Sequence, residues 1–281
     1  MNVRVLTLFA CFVAESAAAN YSFVILNHSI PYSLVRISPE GKYISTIAGG
    51  FAGVGLAKDA EGNYLVTTGT SLLRVSPTGG VSTVAVAPSG SHWLKVVAAP
   101  GGSSVVIDNV QHALWNISQD GRSIAKIANY PVPVYRELED PSLTTDGQGN
   151  CTVLEDNHRD VHMFKITPEG VVTQIPLSRP VQVSFGLVAD GPGSYLAEEG
   201  KGDAIIRITA AGEVTQLAKF IPARTYLTGI VRDPLGGDIV ATVSREHAIL
   251  RVSADGRKVT TLANSATYIR EPLAILAEIG Q

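Results

Sequence analysis

Charged residues are scarce in this chain: Asp, Glu, Lys and Arg make up 17% of its 281 residues, the formal net charge is −3, and no run of like charge occurs. A nucleic acid or an anionic membrane surface calls for a concentrated basic patch, so neither partner is expected. Cysteine is nearly missing too, with only Cys11 and Cys151. Beyond its first residues the chain has no apolar run long enough to cross a bilayer as a helix, and no cofactor motif is visible.

The first residues carry one positive charge at Arg4, then a short apolar run from Val5 to Ala14, and end in Ala17, Ala18 and Ala19 before Asn20. This pattern reads as a secretory signal over residues 1–19 with cleavage after Ala19; a buried strand is the other reading of the same residues. Cleavage removes Cys11 and leaves Cys151 alone. An exported chain of residues 20–281 therefore has no internal disulfide and relies on its core. The expectation is one exported domain, periplasmic or extracellular, soluble and monomeric.

What the chain has instead is repetition. Leu34 to Gly41 followed by Tyr43 to Ile47 reads as strand, turn and strand, and the design returns five times. The turns begin at Ser38, Ser76, Ser118, Thr167, Thr209 and Ser253, and each has Gly at its fourth place: Gly41, Gly79, Gly121, Gly170, Gly212 and Gly256. A hydroxyl caps a type I turn and glycine takes the left-handed conformation that returns the chain, which explains the spelling. The spacing of 38 to 49 residues is that of propeller blades.

Each interval also holds a second hairpin, clearest in Gly55 to Asp59, the turn over Ala60–Asn63, and Tyr64 to Thr67. That makes four strands, A to D, per blade. The last strand A, Glu271 to Glu278, has no strand B after it, and Tyr21 to Leu26 precedes the first strand C without a strand A. The two ends are predicted to pair and close the ring. The fold class is therefore all-β, a six-bladed β-propeller of four-stranded antiparallel blades.

The run Gly55-Leu-Ala-Lys-Asp-Ala-Glu-Gly-Asn-Tyr-Leu-Val and the run Arg207-Ile-Thr-Ala-Ala-Gly-Glu-Val-Thr resemble the repeats of the NHL-repeat, SMP-30/gluconolactonase and streptogramin (virginiamycin B) lyase-like group of propellers. The resemblance covers essentially all of residues 20–281. It implies the six-bladed ring, and it implies one of three activities: a metal-dependent lactonase, a lyase that opens a cyclic depsipeptide by elimination, or a propeller that only binds partners. Glu271 beside Pro272 is similar to the first-blade glutamate ligand of the lactonases, whereas their Pro-Asn-Gly ligand motif is absent here.

Connectivity puts the B-to-C and D-to-A loops on one face of the disc and the A-to-B and C-to-D turns on the other. His28, His112, His158 and His247 fall in B-to-C loops, His92 in a D-to-A loop, and His162 at the start of a strand C; all six share the first face. The third full blade carries the densest group, Glu155 to His162 in its B-to-C loop and Arg136 to Asp140 entering its strand A. Asp140, Asn157 and, across the ring, Glu271 are candidate oxygen ligands for a divalent cation such as Ca, Mg or Mn. His158, His112 and His247 are candidate general bases, because imidazole titrates near neutral pH.

The plainer reading pairs Asp140 and Glu271 with Arg136 and Arg270 as rim ion pairs. Two functions follow: an exported enzyme acting on a small ester, lactone or cyclic depsipeptide by metal-assisted hydrolysis or elimination, or a non-catalytic propeller binding a ligand or protein on the same face. Arg36, Arg74, Lys165, Arg207 and Arg251 share one strand-C register, with Asn116 the exception, and read as an architectural row. Trp93 and Trp115 can line the mouth, with core packing the better fit for Trp115. Asn20, Asn27, Asn116 and Asn150 open sequons that matter only in a glycosylating host.

Overall fold

A computed structural model describes residues 21–131, 141–146, 148–156, 161–182, 186–199, 204–220, 227–234, 236–243, 246–264, 269 and 271–279. Blade one begins with β1 (Tyr21–Asn27), β2 (Ser33–Ile37) and β3 (Ile44–Gly49). Blade two is β4 (Gly55–Lys58), β5 (Tyr64–Thr67), β6 (Ser71–Val75) and β7 (Val81–Val86). Blade three is β8 (Trp93–Ala98), β9 (Ser104–Asp108), β10 (Ala113–Ile117) and β11 (Ile124–Asn129). Blade four, the third complete one, is β12 (Ser142–Thr145), β13 (Cys151–Asp156), β14 (Val161–Ile166) and β15 (Val172–Ile175). Blade five is β16 (Leu187–Ala189), β17 (Ser194–Glu199), β18 (Ala204–Thr209) and β19 (Val214–Lys219). Blade six is β20 (Leu227–Arg232), β21 (Ile239–Val243), β22 (Ala248–Val252) and β23 (Val259–Ala263).

The last strand, β24 (Pro272–Ile279), pairs antiparallel with β1 from Tyr21↔Ile279 to Asn27↔Pro272 and supplies the inner strand of blade one. The ring is a six-bladed propeller closed by its two ends, as expected. Its inner strands touch in the order β24, β4, β8, β12, β16, β20 and back to β24, so blades three and six stand opposite one another. One hydrophobic layer fills each of the six blade interfaces; Leu154, Met163, Ile206 and Ile208, for example, pack between blades four and five. Among the described residues no helix is long and apolar enough to cross a membrane.

The six C-to-D turns follow the predicted chemistry. In each, the glycine N–H donates to the carbonyl of the opening Ser or Thr at 2.7–2.9 Å, and the opening hydroxyl accepts from a backbone N–H beyond the glycine. All six glycines have positive φ, between 71° and 93°. Packing supplies a second reason for glycine that the turn alone does not reveal. A β-carbon on any of them would sit 1.8–2.5 Å from a carbonyl oxygen of the preceding blade, Val84 for Gly121 and Leu262 for Gly41. Each turn thus seats its Cα against its neighbour's outer strand, the geometry of a weak Cα–H···O contact.

The basic row is architectural, and each member has an acidic partner at the lower end of its blade. Arg74 pairs with Asp59, Lys165 with Asp146, Arg207 with Asp190 and Arg251 with Asp233, all from the A-to-B turn of the same blade. Blade one lacks that turn, and Glu278 of β24 stands in for it against Arg36. Blade three lacks both partners, with Asn116 in the row and Ala99 at the turn. Trp93, expected at the mouth, is fully buried in β8, while Trp115 packs against the same core from β10, half-buried, donating to Asp108 at 3.3 Å beneath the Lys126 ammonium.

Candidate functional site

The upper face carries the B-to-C and D-to-A connections, and the described histidines lie there. His28 follows β1, His92 precedes β8, His112 and His247 immediately precede β10 and β22, and His162 is the second residue of β14. His158, Asn157 and Asp140 lie outside the described residues, as do Arg136 and Arg270. The expected loop from Glu155 to His162 is shorter than the sequence implied, because Glu155, Asp156 and His162 belong to β13 and β14. The extra length of this interval falls instead in the connection between Asn129 and Ser142.

The structure joins His112 to Glu155 across the interface of blades three and four. His112 Nδ1 lies 3.2 Å from Glu155 Oε1; the glutamate side chain is 1% exposed and the histidine 30%. The histidine is pinned from several sides. The Asp108 carboxylate caps its loop by accepting from Val110 and Gln111 N–H, both at 3.0 Å, and Tyr130 N–H donates to the His112 carbonyl at 3.0 Å. The Tyr130 ring meets the imidazole edge-on, 6.0 Å between centroids. Burial pushes the Glu155 carboxyl up to about 7, with a hydrogen bond from Tyr130 drawing it partly back. The pair is a base-and-orienter arrangement: a desolvated carboxyl group fixing one nitrogen of an imidazole whose other nitrogen has no partner among the described residues.

Across the ring, at the interface of blades six and one, the Glu271 N–H donates to His247 Nδ1 at 2.9 Å, and the Glu271 carbonyl accepts from His28 N–H at 3.1 Å. It is the backbone of Glu271 that binds; among the described residues its exposed carboxylate has no hydrogen-bond or ion-pair partner. Of the expected metal ligands only Glu271 is described. Among the described residues no three His, Cys, Asp or Glu side chains converge, so these residues by themselves do not fit a cation site. Cys151 is buried, and burial lifts its thiol to about 12, which makes it unreactive.

His112, His247 and Glu271 are the non-glycine residues with positive φ among those described, at 45°, 50° and 42°. Holding a side-chain-bearing residue there costs about 1–3 kcal/mol, and such strain gathers at functional sites, although histidine tolerates the region better than most residues. Sequence reasoning reached all three positions but not Glu155 as the partner of His112, because the pair is 43 residues apart and on different blades. The available signal was register. Asp108, Glu155 and Glu199 occupy the same place at the upper ends of their strands B, opposite Ala113, His162 and Ala204.

No protein-family model and no curated protein matches the sequence. Solved structures do match. A chain of the nidogen/laminin complex superposes with a TM-score of 0.73 at 12% identity, over 93% of this chain and 99% of that one. A streptogramin B lyase gives 0.59 at 15%, over 86% and 72%. A catalytically inactive variant of virginiamycin B lyase from Staphylococcus aureus, with quinupristin, gives 0.57 at 17%, over 86% and 73%. At such identities the likeness is one of fold, and it is the fold of the NHL-like and virginiamycin B lyase-like propellers.

Proposed function

We propose that this protein is an exported propeller enzyme whose upper face carries out general acid–base chemistry on a small ester, lactone or cyclic depsipeptide, with His112 as the base and Glu155 as its positioning residue. The observation that carries the reading is the buried Glu155 carboxylate held against Nδ1 of a solvent-reaching imidazole. In hydrolysis His112 Nε2 takes the proton of the attacking water and returns it to the departing alkoxide. In elimination it takes a proton from the carbon next to the one bearing the ester oxygen, a C=C bond forms, and the carboxylate departs. In both routes Glu155 stabilises the imidazolium that forms.

Two further observations support parts of this reading. Blade one takes its four strands from β24, β1, β2 and β3, so none of the six four-stranded blades draws on residues 1–19. The structures sharing the fold include two lyases, one of them with quinupristin. They also include a chain of a protein–protein complex, which favours the alternative of a non-catalytic binding propeller.

The test is turnover of quinupristin and a panel of lactones and aryl esters by the purified full chain, followed by mass spectrometry. His112→Ala is expected to lower kcat/KM by about 10²–10⁴-fold. Absence of turnover across the panel, or an unchanged rate in His112→Ala, would leave the binding reading. A chelator arm separates the dyad from a divalent cation at Asp140, Asn157 and Glu271: a rate lost in chelator and restored by Ca, Mg or Mn assigns the metal a share.

A further inference from the structure

His112 and His247 are held by partners of opposite hydrogen-bonding character. At His112 the partner of Nδ1 is the buried Glu155 carboxyl, lifted to about 7; above that pH it is ionised and only accepts, so Nδ1 carries the proton and Nε2 offers a lone pair. At His247 the partner is a backbone N–H, which only donates, so Nδ1 keeps its lone pair and Nε2 carries the proton. Neither Nε2 has a partner among the described residues. Both rings are aimed by left-handed backbone, at His112 itself and at His247 and Glu271 together.

The two lie at opposed interfaces, blades three and four for one and blades six and one for the other. The remaining described histidines of this face do not duplicate His247. His28 Nδ1 is tied to the Gly53 carbonyl at 3.1 Å, which gives it the tautomer of His112. His92 Nδ1 faces the Asn109 side-chain oxygen at 3.1 Å, with the same result. His162 Nδ1 faces the Gln174 side-chain nitrogen at 3.2 Å, but its Nε2 is buried.

We infer that the upper face is polarised across the ring, with a hydrogen-bond acceptor at His112 Nε2 and a donor at His247 Nε2, and that it orients an amide-bearing ligand with its N–H toward blade three and its carbonyl toward blade six. The inference rests on reading this face as a ligand site, but its core, the opposed tautomers, is measurable without any activity.

The experiment is long-range proton–nitrogen NMR on the full chain labelled with ¹⁵N-histidine. Recorded above pH 7, where Glu155 is ionised, it is expected to show Nδ1–H at His112 and Nε2–H at His247. Glu155→Ala is expected to release His112 into a mixture of tautomers and leave His247 unchanged. Glu271→Gly keeps both the N–H and the left-handed backbone, so it is expected to leave the His247 tautomer intact. N,N-dimethylacetamide, a probe with an acceptor and no donor, is expected to shift the His247 Nε2 resonance and not that of His112 Nε2. Like tautomers in the two rings, free exchange in both, or a probe that leaves His247 unmoved overturns the inference. Opposed tautomers combined with a His112→Ala variant of undiminished turnover would instead overturn the catalytic reading and leave the polarity standing.

Discussion

On the lower face, Ser38, Ser76, Ser118, Thr167, Thr209 and Ser253 occupy one register, and each caps the same turn against the preceding blade. On the upper face, Asp108, Glu155 and Glu199 also occupy one register, and each has different work. Asp108 caps its own hairpin, Glu155 holds a histidine of the neighbouring blade, and Glu199 takes a two-pronged hydrogen bond from Arg179. The lower turns are squeezed by the blade behind them, so one solution is used six times. The described upper connections share no such common seat, and their residues differ from blade to blade. Repetition here marks what the ring needs in order to exist, and its breakdown marks where chemistry has room.

The contrast breaks most readily at a lower-face glycine. Gly121→Val places a branched side chain at φ 71° with its β-carbon about where the Val84 carbonyl stands, and it is expected to cost more than about 4 kcal/mol, read as insoluble protein or a collapsed thermal transition. Glu271→Gly makes the opposite change on the upper face, relieving a side-chain-bearing residue at φ 42° while keeping the N–H that holds His247, and is expected to fall within about 1 kcal/mol of the parent. If the two variants lose equal stability, the faces do not differ as described.

Next in size are the row pairs. Arg251→Ala removes the ion pair of the Asp233 carboxylate, 2% exposed, and leaves it the Tyr21 hydroxyl and the Gly236 N–H; it is expected to cost about 2 kcal/mol in urea unfolding. Glu278→Gln tests ring closure. Burial raises the Glu278 carboxyl, but hydrogen bonds from Lys58 and Tyr64 and the charges of Lys58 and Arg36 outweigh it and hold it below the ordinary glutamate range. A carboxyl depressed in the folded state adds stability above its unfolded pKa and gives it up as pH falls through the folded one. The parent is therefore expected to lose stability with acid below about pH 4.5, and Glu278→Gln to show a shallower loss. The smallest effect belongs to Lys165→Ala, expected within about 0.5 kcal/mol, because its side chain is 44% exposed and its ammonium 3.9 Å from Asp146.

The ring was legible in the sequence because turn chemistry is local. A hydroxyl, a glycine three residues on, and flanking β-branched residues declare a hairpin wherever they occur, and six of them at blade spacing declare a propeller. The strand-C row was legible for the same reason. Its acidic partners were not, because Asp59 and Asp190 look like turn residues until the strand register sets them beside Arg74 and Arg207. The upper face was read only in outline. His112, His247 and Glu271 stood out as chemically able residues, but Glu155 joins His112 through packing between blades, which no local pattern encodes. Trp93 failed for a related reason: it follows a polar loop in sequence, yet it opens β8 and turns into the interface of blades two and three.

The seating of each lower turn against the blade behind it gives the ring a direction. Gly79 meets Ile47, Gly121 meets Val84, Gly170 meets Ile127, Gly212 meets Pro176 and Gly256 meets Leu217, each resting on backbone synthesised earlier. Only Gly41 must wait, because its seat is Leu262, near the far end of the chain. A chain leaving the ribosome can therefore add blades one after another onto a finished surface, while its first blade stays unclasped until the last strands arrive. Translation order and assembly order coincide at five joints and collide at the sixth, and that joint is where a stalled or truncated chain remains open.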